Sequence, residues 1–159
     1  MADTGVTAPT QENGVIHPIL KDDSVAQWLG IAVEHLAPGE ARCSMVLRPD
    51  MLNGFSMAHG GMVFAFADTA FALACNPSTA ELAEAELITV ASGADITFIS
   101  SALPGETLRA VAAYRASSGR SGVYDVEVTA CAPGGGSRVV AEFRGRSRSI
   151  PNPARRPRS

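Results

Sequence analysis

Asp68 is the one formally charged residue in an otherwise apolar stretch that runs from Gly61 to Cys75. The apolar run predicts a helix from Gly60 to Asn76 that is buried on every side. A buried carboxylate is costly unless it is paired or hydrogen-bonded. Asp68 therefore either makes a structural hydrogen bond to the backbone or to a neighbouring subunit, or it is a base or nucleophile whose pKa is raised by partial removal from water. The second interpretation makes Asp68 the candidate catalytic group.

Two glycines, Gly60 and Gly61, stand at the start of the same helix, where the first N–H groups lack intrahelical partners. Bare N–H donors at the positive end of a helix suit a carbonyl oxygen that gains negative charge during a reaction. The alternative is that the glycines only allow a tight turn or close packing. His59 precedes them, and its side chain either orients the loop, contacts a substrate or makes a structural hydrogen bond.

The spacing of these groups constrains how they could act together. Gly60 and Asp68 are separated by eight positions, which is roughly 12 Å along a helix and about 80° around it. One small carbonyl group cannot contact both on the same helix. If both serve one reaction, they come from two copies of the chain, so the spacing predicts a dimer with a composite site.

The elements that position these residues form an α+β chain. One of Asp22, Asp23 and Ser24 can cap a short helix that ends near Leu29. Alternating apolar and polar residues predict an antiparallel sheet of about five or six strands around the long helix, with strands at 33–36, 41–47, 86–99, 107–116, 122–131 and 138–147. We expect a flexible arm over residues 1–20, one domain over residues 21–149 and a flexible tail over residues 150–159.

Composition excludes several classes of function. The net charge of −3 lacks the basic surplus of a nucleic-acid binder. No apolar run is long enough for a membrane span, and the start lacks a signal-peptide pattern. The three cysteines form no disulfide framework and lack the spacing of a zinc site. We therefore expect a cytoplasmic protein without a bound metal.

The chain resembles the hotdog-fold acyl-CoA thioesterases, and most closely their phenylacetate-pathway (PaaI-type) subgroup. The blocks that carry the resemblance are MLNG at 51–54, HGG at 59–61, ADTAFALACN at 67–76, SGVYDVEV at 121–128 and FRGRS at 143–147. The resemblance implies a sheet wrapped round a long central helix. It also implies a homodimer, often paired into a tetramer, whose composite site takes Asp68 and Gly60 from different subunits.

By matching positions, the resemblance also implies roles for single residues. Asp68 would be the catalytic carboxylate, and the Gly60 N–H would polarise the thioester carbonyl. Asn53 would position water or the carboxylate, and His59 would support them. The reaction would convert acyl-CoA and water into a carboxylic acid and free CoA, so that no separate cofactor is needed. Asp68 would act as general base or as nucleophile.

Substrate contacts are expected from residues around this core. Phe55 and Met57, and the N–H of Gly61, would lie near the acyl group. The resemblance implies that this group is aryl-acetyl or hydroxyphenylacetyl. Phe55 stands where the most similar members have a His, and Ala72 stands where some related thioesterases have a hydroxyl. The CoA phosphates would be held by groups of the later strands and turns, namely Arg120, Ser121, Arg144 and Arg146.

Two other functions fit the same fold. A hotdog enoyl-CoA hydratase or dehydratase would pair an acidic residue with a His that faces the substrate, and His59 lies beside the glycines instead. A non-catalytic acyl-CoA-binding protein would not need Asp68. A nucleophile elbow, a phosphate-binding loop and a dinucleotide motif are all missing from the sequence.

Overall fold

The computed structural model describes residues 17–78 and 83–155 of the chain. The short predicted helix is present as α1, Ser24–Leu29. The Asp23 carboxylate accepts the Ala26 N–H at 2.9 Å, which satisfies a donor that the first helical turn leaves unpaired. Gly30 follows the helix in the left-handed conformation, with a φ of 70°. The prediction of a capped helix ending near Leu29 is confirmed.

Six antiparallel strands form one sheet in the order β1-β2-β4-β5-β6-β3. Their bounds are Ala32–Ala37 for β1, Glu40–Val46 for β2, Leu87–Phe98 for β3, Thr107–Ser118 for β4, Ser121–Cys131 for β5 and Ser137–Pro151 for β6. The long helix α2, Gly60–Cys75, packs against the inner face of the sheet. This confirms the predicted α+β architecture and its number of strands. Strand β3 forms one edge and pairs with β6 alone.

Strand β5 shows why one face of the sheet is dry. Val126, Val128 and Ala130 are fully buried under the helix side, while the residues between them face away, as the period of two predicts. In β6 the apolar Val140 breaks this alternation because the pairing shifts at that point, with Val128 opposite Ala141 and Thr129 opposite Val139. Val140 is thus the extra residue of a β-bulge, which re-aims a side chain without ending the strand.

Helix α2 sits close to the sheet because a glycine lies beneath one of its rings. A Cβ placed on Gly145 would come within 2.7 Å of the Phe71 ring. The same ring packs edge-on against Tyr124, with centroids 5.6 Å apart, and against Phe143 at 6.0 Å. The FRGRS and SGVYDVEV blocks therefore include residues that shape the contact between helix and sheet.

The prediction that α2 is buried on every side is right for the face on the sheet and wrong for the opposite face. Phe66 and Ala70 have no exposed surface, whereas Ala65, Asp68 and Ala72 are half-buried. Within the described part of a single chain, the sheet covers one side of the helix. Membrane crossing demands a longer apolar helix than any that the described residues form.

The inner ends of the two predicted arms are part of the fold. Residues 1–16 and 156–159 lie outside the described residues. His17, however, has no exposed surface and starts a 3₁₀ turn, Pro18–Leu20. Strand β6 continues to Pro151 opposite Leu87, and Asn152 is buried. These segments lack periodicity, so the sequence pattern predicted loose chain, but single buried anchors hold them on the domain.

Candidate functional site

The start of α2 offers one unpaired amide donor. His59 is the residue before the helix, and its ring Nδ1 accepts the Gly61 N–H at 3.0 Å. The Gly60 N–H donates no hydrogen bond within the described residues. Of the two predicted donors, Gly60 is therefore free for a ligand, while Gly61 is engaged by His59. The interpretation of His59 as a residue that orders this turn agrees with the structure.

Asn53 organises the loop that precedes this turn. Its side-chain oxygen accepts the N–H groups of Phe55 and Met57, at 2.9 and 3.3 Å, and its own N–H donates to the Met57 carbonyl at 2.8 Å. The amide nitrogen of its side chain has no partner among the described residues, so it can donate to a bound group. Phe55 lies at the tip of the loop with 82% of its surface exposed.

Gly60 and Asn53 line a common cavity of about 330 Å³, here called the Gly60 cavity. Met57 belongs to the same lining, together with Phe98 from the end of β3. A Cβ on Gly60 would lie 3.1 Å from the Phe98 ring, so the glycine also allows close packing. The Gly60 cavity thus brings together a free N–H, a free side-chain amide and apolar walls.

An ion pair that sequence reasoning did not single out holds one wall of the Gly60 cavity. Arg138 contacts both carboxylate oxygens of the buried Glu106, at 2.7 and 2.8 Å, and the Ser101 carbonyl at 2.6 Å. Hydrogen bonding to Arg138 holds the pKa of the Glu106 carboxyl below its usual range. The Ala102 carbonyl accepts the Ala58 N–H at 2.9 Å. Arg138 therefore holds the segment after β3 through Ser101, and the Ala58–Ala102 hydrogen bond links that segment to the loop before Gly60.

Asp68 lies in a different cavity of about 550 Å³, here called the Asp68 cavity. Its carboxylate makes no hydrogen bond and no ion pair within the described residues, so a structural hydrogen bond to the backbone of the same chain has no support. Burial raises the pKa of the Asp68 carboxyl above its usual range. A half-buried carboxylate that lacks hydrogen-bond donors is more basic and more nucleophilic than one in water.

Gly60 and Asp68 of one chain share no cavity. The helical spacing predicted that one small group could not contact both, and the two separate cavities agree with that geometry. Each cavity holds one half of the predicted machinery, with the donor in the first and the carboxylate in the second.

The predicted phosphate-binding residues lie outside both cavities. Since Gly145 faces α2, its neighbours Arg144 and Arg146 face the opposite side of the sheet. Arg144 binds Asp125 at 2.7 and 2.9 Å, and Arg146 binds Asp95 at 2.6 Å. Both cations already have carboxylate partners.

Arg120 and Ser121, in contrast, are exposed at the connection from β4 to β5. Their side chains have no partner within residues 17–78 and 83–155. Of the four predicted phosphate contacts, these two are available to a ligand without the loss of an existing ion pair.

Sequence reasoning assigned no role to the end of α2 in the site. The Asn76 side chain accepts the Thr89 N–H at 3.1 Å and donates to the Thr89 carbonyl at 2.9 Å, which fastens the helix to β3. Phe71, Cys75, Asn76 and Thr89 all line the Asp68 cavity. An Asn at the end of an apolar helix is a signal for such a link, because its amide can replace missing backbone partners.

The chain is similar to known proteins over most of its length. A model of the thioesterase superfamily matches residues 55–133. The acyl-coenzyme A thioesterase PaaI of Escherichia coli strain K12 is 37% identical over 134 residues, which are 84% of this chain and 88% of that protein.

Solved structures agree with this relationship. The E. coli PaaI protein from the phenylacetic acid degradation operon superposes with a TM-score of 0.74 at 37% identity, over 86% of this chain and 91% of that one. The TT0310 protein of Thermus thermophilus gives 0.68 at 34% identity, over 80% of this chain and 98% of its own. These matches confirm the predicted hotdog fold.

Proposed function

This chain belongs to the thioesterase superfamily and is an acyl-coenzyme A thioesterase, and we propose that Asp68 is its catalytic carboxylate. The observation that carries the proposal is the Asp68 side chain, which lies in a large cavity without any hydrogen-bond partner among the described residues. In this role Asp68 takes a proton from the attacking water, or it attacks the thioester carbonyl and releases CoA as a thiolate. The free Gly60 N–H stabilises the negative charge that develops on the carbonyl oxygen.

The Gly60 and Asp68 of one site come, in this proposal, from two chains. The middle of β3 separates residues 88–91, which line the Asp68 cavity, from residues 98–100, which line the Gly60 cavity. Strand β3 forms one edge of the sheet, and an edge strand is a ready template for pairing. Antiparallel pairing of two β3 strands about their middle would bring the Asp68 cavity of one chain beside the partner's Gly60 cavity. It would also cover the face of α2 on which Ala65, Asp68 and Ala72 are half-buried.

A subunit-mixing experiment tests the composite site. Asp68→Asn removes the carboxylate, and Gly60→Pro removes the N–H at the first helical position, where Pro is tolerated. Mixed dimers of the two variants contain one doubly defective site and one intact site if the groups act across the interface. Reassorted mixtures should then recover about a quarter of the wild-type rate, since half of the dimers are mixed and each holds one intact site of two.

The matched control for the proline variant is Gly60→Ala. Both substitutions add a Cβ against the Phe98 ring, but the alanine keeps the N–H. A large loss of activity in Gly60→Pro with a smaller loss in Gly60→Ala supports the donor role. Inactive mixtures, or a fully active monomer in sedimentation at assay concentration, would refute the composite dimer. A further pairing of dimers into a tetramer is read from the same sedimentation data.

Release of free thiol from a panel of acyl-CoA esters tests the reaction itself. We expect aryl-acetyl and hydroxyphenylacetyl esters among the good substrates, and Asp68→Asn to lower the rate by about 10²–10⁴-fold. Asp50→Asn is the matched control, because Asp50 is a surface residue paired with Arg48. An Asp68→Asn variant with near-normal turnover would end the assignment. An enoyl-CoA that loses its enoyl absorbance would favour the hydratase instead.

Single-turnover hydrolysis in labelled water separates the two roles of Asp68. Label that enters the enzyme carboxylate supports covalent attack by Asp68. Label that enters the product alone supports the general-base route.

Arg120 and Ser121 are, in this proposal, the first contacts of the CoA phosphates, because their side chains are not engaged by other described residues. Arg120→Ala should raise KM and leave kcat unchanged, since the phosphates lie far from the reacting bond. A lowered kcat with an unchanged KM would contradict this role. The proposed location is the cytoplasm, in keeping with three cysteines that are free of disulfides.

A further inference from the structure

The Asp68 cavity has a wall that comes from neither the long helix nor the sheet. Helix α2 lines one side of it, and the first half of β3 lines another. Ile19 and Asp22 complete this part of the lining. Both belong to residues 17–22, the segment that precedes α1 and is here called the N-terminal strap. Residues 17–20 were expected to be part of a flexible arm and Asp22 a possible helix cap, so the sequence predicted no role for this segment in a site.

The strap is fastened to the same helix that carries Asp68. The His17 ring is fully buried, and its Nε2 donates to the Asn76 carbonyl at the end of α2, at 3.1 Å. Its Nδ1 accepts the Ile19 N–H at 3.3 Å, which fixes the backbone of the next turn. Ile19 itself packs against the hydrophobic core. The Ile19 side chain is therefore held in place beside the cavity.

The chemistry of the lining indicates which part of a thioester substrate lies there. Ile19, Phe71, Ile88 and Val90 give the cavity apolar walls. The polar groups of Asn76 and Thr89 are bonded to each other.

The remaining carboxylates in this lining, Asp22 and Asp68, would repel the phosphates of CoA. An apolar acyl group fits this cavity, and the nucleotide does not. The volume of about 550 Å³ is in the range of small-molecule sites.

We propose that the N-terminal strap forms a wall of the acyl-binding pocket and that Ile19 sets the size of the acyl group the enzyme accepts. The inference rests on the proposed function, because it takes the Asp68 cavity as the place of the acyl chain. Shortening Ile19 removes three carbons from the wall and makes room for a longer chain, whereas a larger side chain restricts it.

The test compares binding of straight-chain S-alkyl-CoA thioethers of increasing length, which cannot be hydrolysed. Ile19→Ala should raise the affinity for long over short thioethers by roughly ten-fold relative to wild type, since a single methylene in an apolar pocket already discriminates by that factor. Ile19→Phe should shift the ratio in the opposite direction. Leu20→Ala is the matched control: Leu20 packs on the core from the same 3₁₀ turn but does not line the Asp68 cavity.

The outcomes separate the strap from the catalytic assignment. Three results would each overturn the role of the strap. The ratio of affinities for long and short thioethers could be unchanged in both Ile19 variants, or it could change equally in Leu20→Ala. The third such result is that the wild-type protein binds no thioether. A shift in the expected directions in a protein that hydrolyses no acyl-CoA supports the strap and refutes catalysis by Asp68.

Discussion

Replacing Gly145 by alanine should push α2 away from the sheet. The new methyl group would lie 2.7, 2.7 and 2.8 Å from three carbons of the Phe71 ring, well inside the optimum of about 3.5–4.0 Å between carbon atoms. The ring has little freedom to move, because Tyr124 and Phe143 pack against it. Asn76 also fastens the helix to β3. The perturbation is therefore one of overpacking rather than of lost contact.

The expected cost follows from two opposing effects. Overpacking a core by one methyl group costs about 1–3 kcal/mol. Replacing a strand glycine by alanine stabilises the fold by about 0.5–1 kcal/mol, because it lowers the conformational entropy of the unfolded chain. The midpoints of these two ranges give a net loss of about 1.2 kcal/mol, which lowers the Tm by roughly 2–5 °C for a chain of this size. Since Phe71 lines the Asp68 cavity, KM for acyl-CoA should also rise.

Thermal and urea unfolding at one fixed protein concentration measure the effect. Gly134→Ala is the control, because a Cβ there meets nothing within 4 Å and the backbone is not in the left-handed region. Phe71→Leu completes a double-mutant cycle: without the ring, Gly145→Ala should cost little or nothing. Unchanged stability of Gly145→Ala, or the same loss in the Phe71→Leu background, would refute the contact as the reason for the glycine.

Two substitutions and one labelling experiment probe charge and reactivity. Burial raises the pKa of Asp68, so the ionised carboxylate destabilises the fold at pH values above its pKa in the folded protein. Asp68→Asn should therefore raise the free energy of unfolding at neutral pH. This gain should vanish as the pH falls to 3.8, the usual pKa of an aspartate side chain. Arg138 lowers the pKa of Glu106, so the ionised Glu106 carboxylate stabilises the fold at pH values above 4.5, the usual pKa of a glutamate side chain. Glu106→Gln should lower the free energy of unfolding by roughly 1–3 kcal/mol at neutral pH, and by less at acidic pH. Urea titrations across pH check both signs, and a pH-independent difference contradicts either. Burial raises the pKa of the Cys43 and Cys75 thiols to about 12, so about one thiol in 10⁴ is ionised at pH 8. Mass spectrometry should therefore show slow alkylation of both cysteines in the native protein. Rapid alkylation of either one in the native protein would contradict this prediction.

Local patterns in the sequence predict the elements well because they depend on neighbours in the chain. The alternation in β5 and the cap at Asp23 need only a few adjacent residues, and both are confirmed. The separation of Gly60 from Asp68 also follows from helix geometry alone. The buried anchors at His17 and Asn152 were missed, since a single contact leaves no periodic signal.

Pairings between distant residues lie beyond such patterns. Arg144 and Arg146 were predicted as phosphate ligands, yet the strand register gives them Asp125 and Asp95 as partners. The Glu106–Arg138 pair joins residues 32 positions apart, and nothing local in the sequence distinguishes these two from other surface charges.

The sequence by itself determined the presence of a lone carboxylate in an apolar helix, the glycines at the start of that helix and the strands around it. These follow from the periods of helix and strand, which each residue expresses with its nearest neighbours. Only the tertiary structure decided that Gly60 keeps a free N–H while the His59 ring accepts the N–H of Gly61. It also decided that Ile19 and β3 line the same Asp68 cavity. Cavities are bounded by side chains from distant segments, so their shape depends on register and packing that no single stretch of sequence encodes.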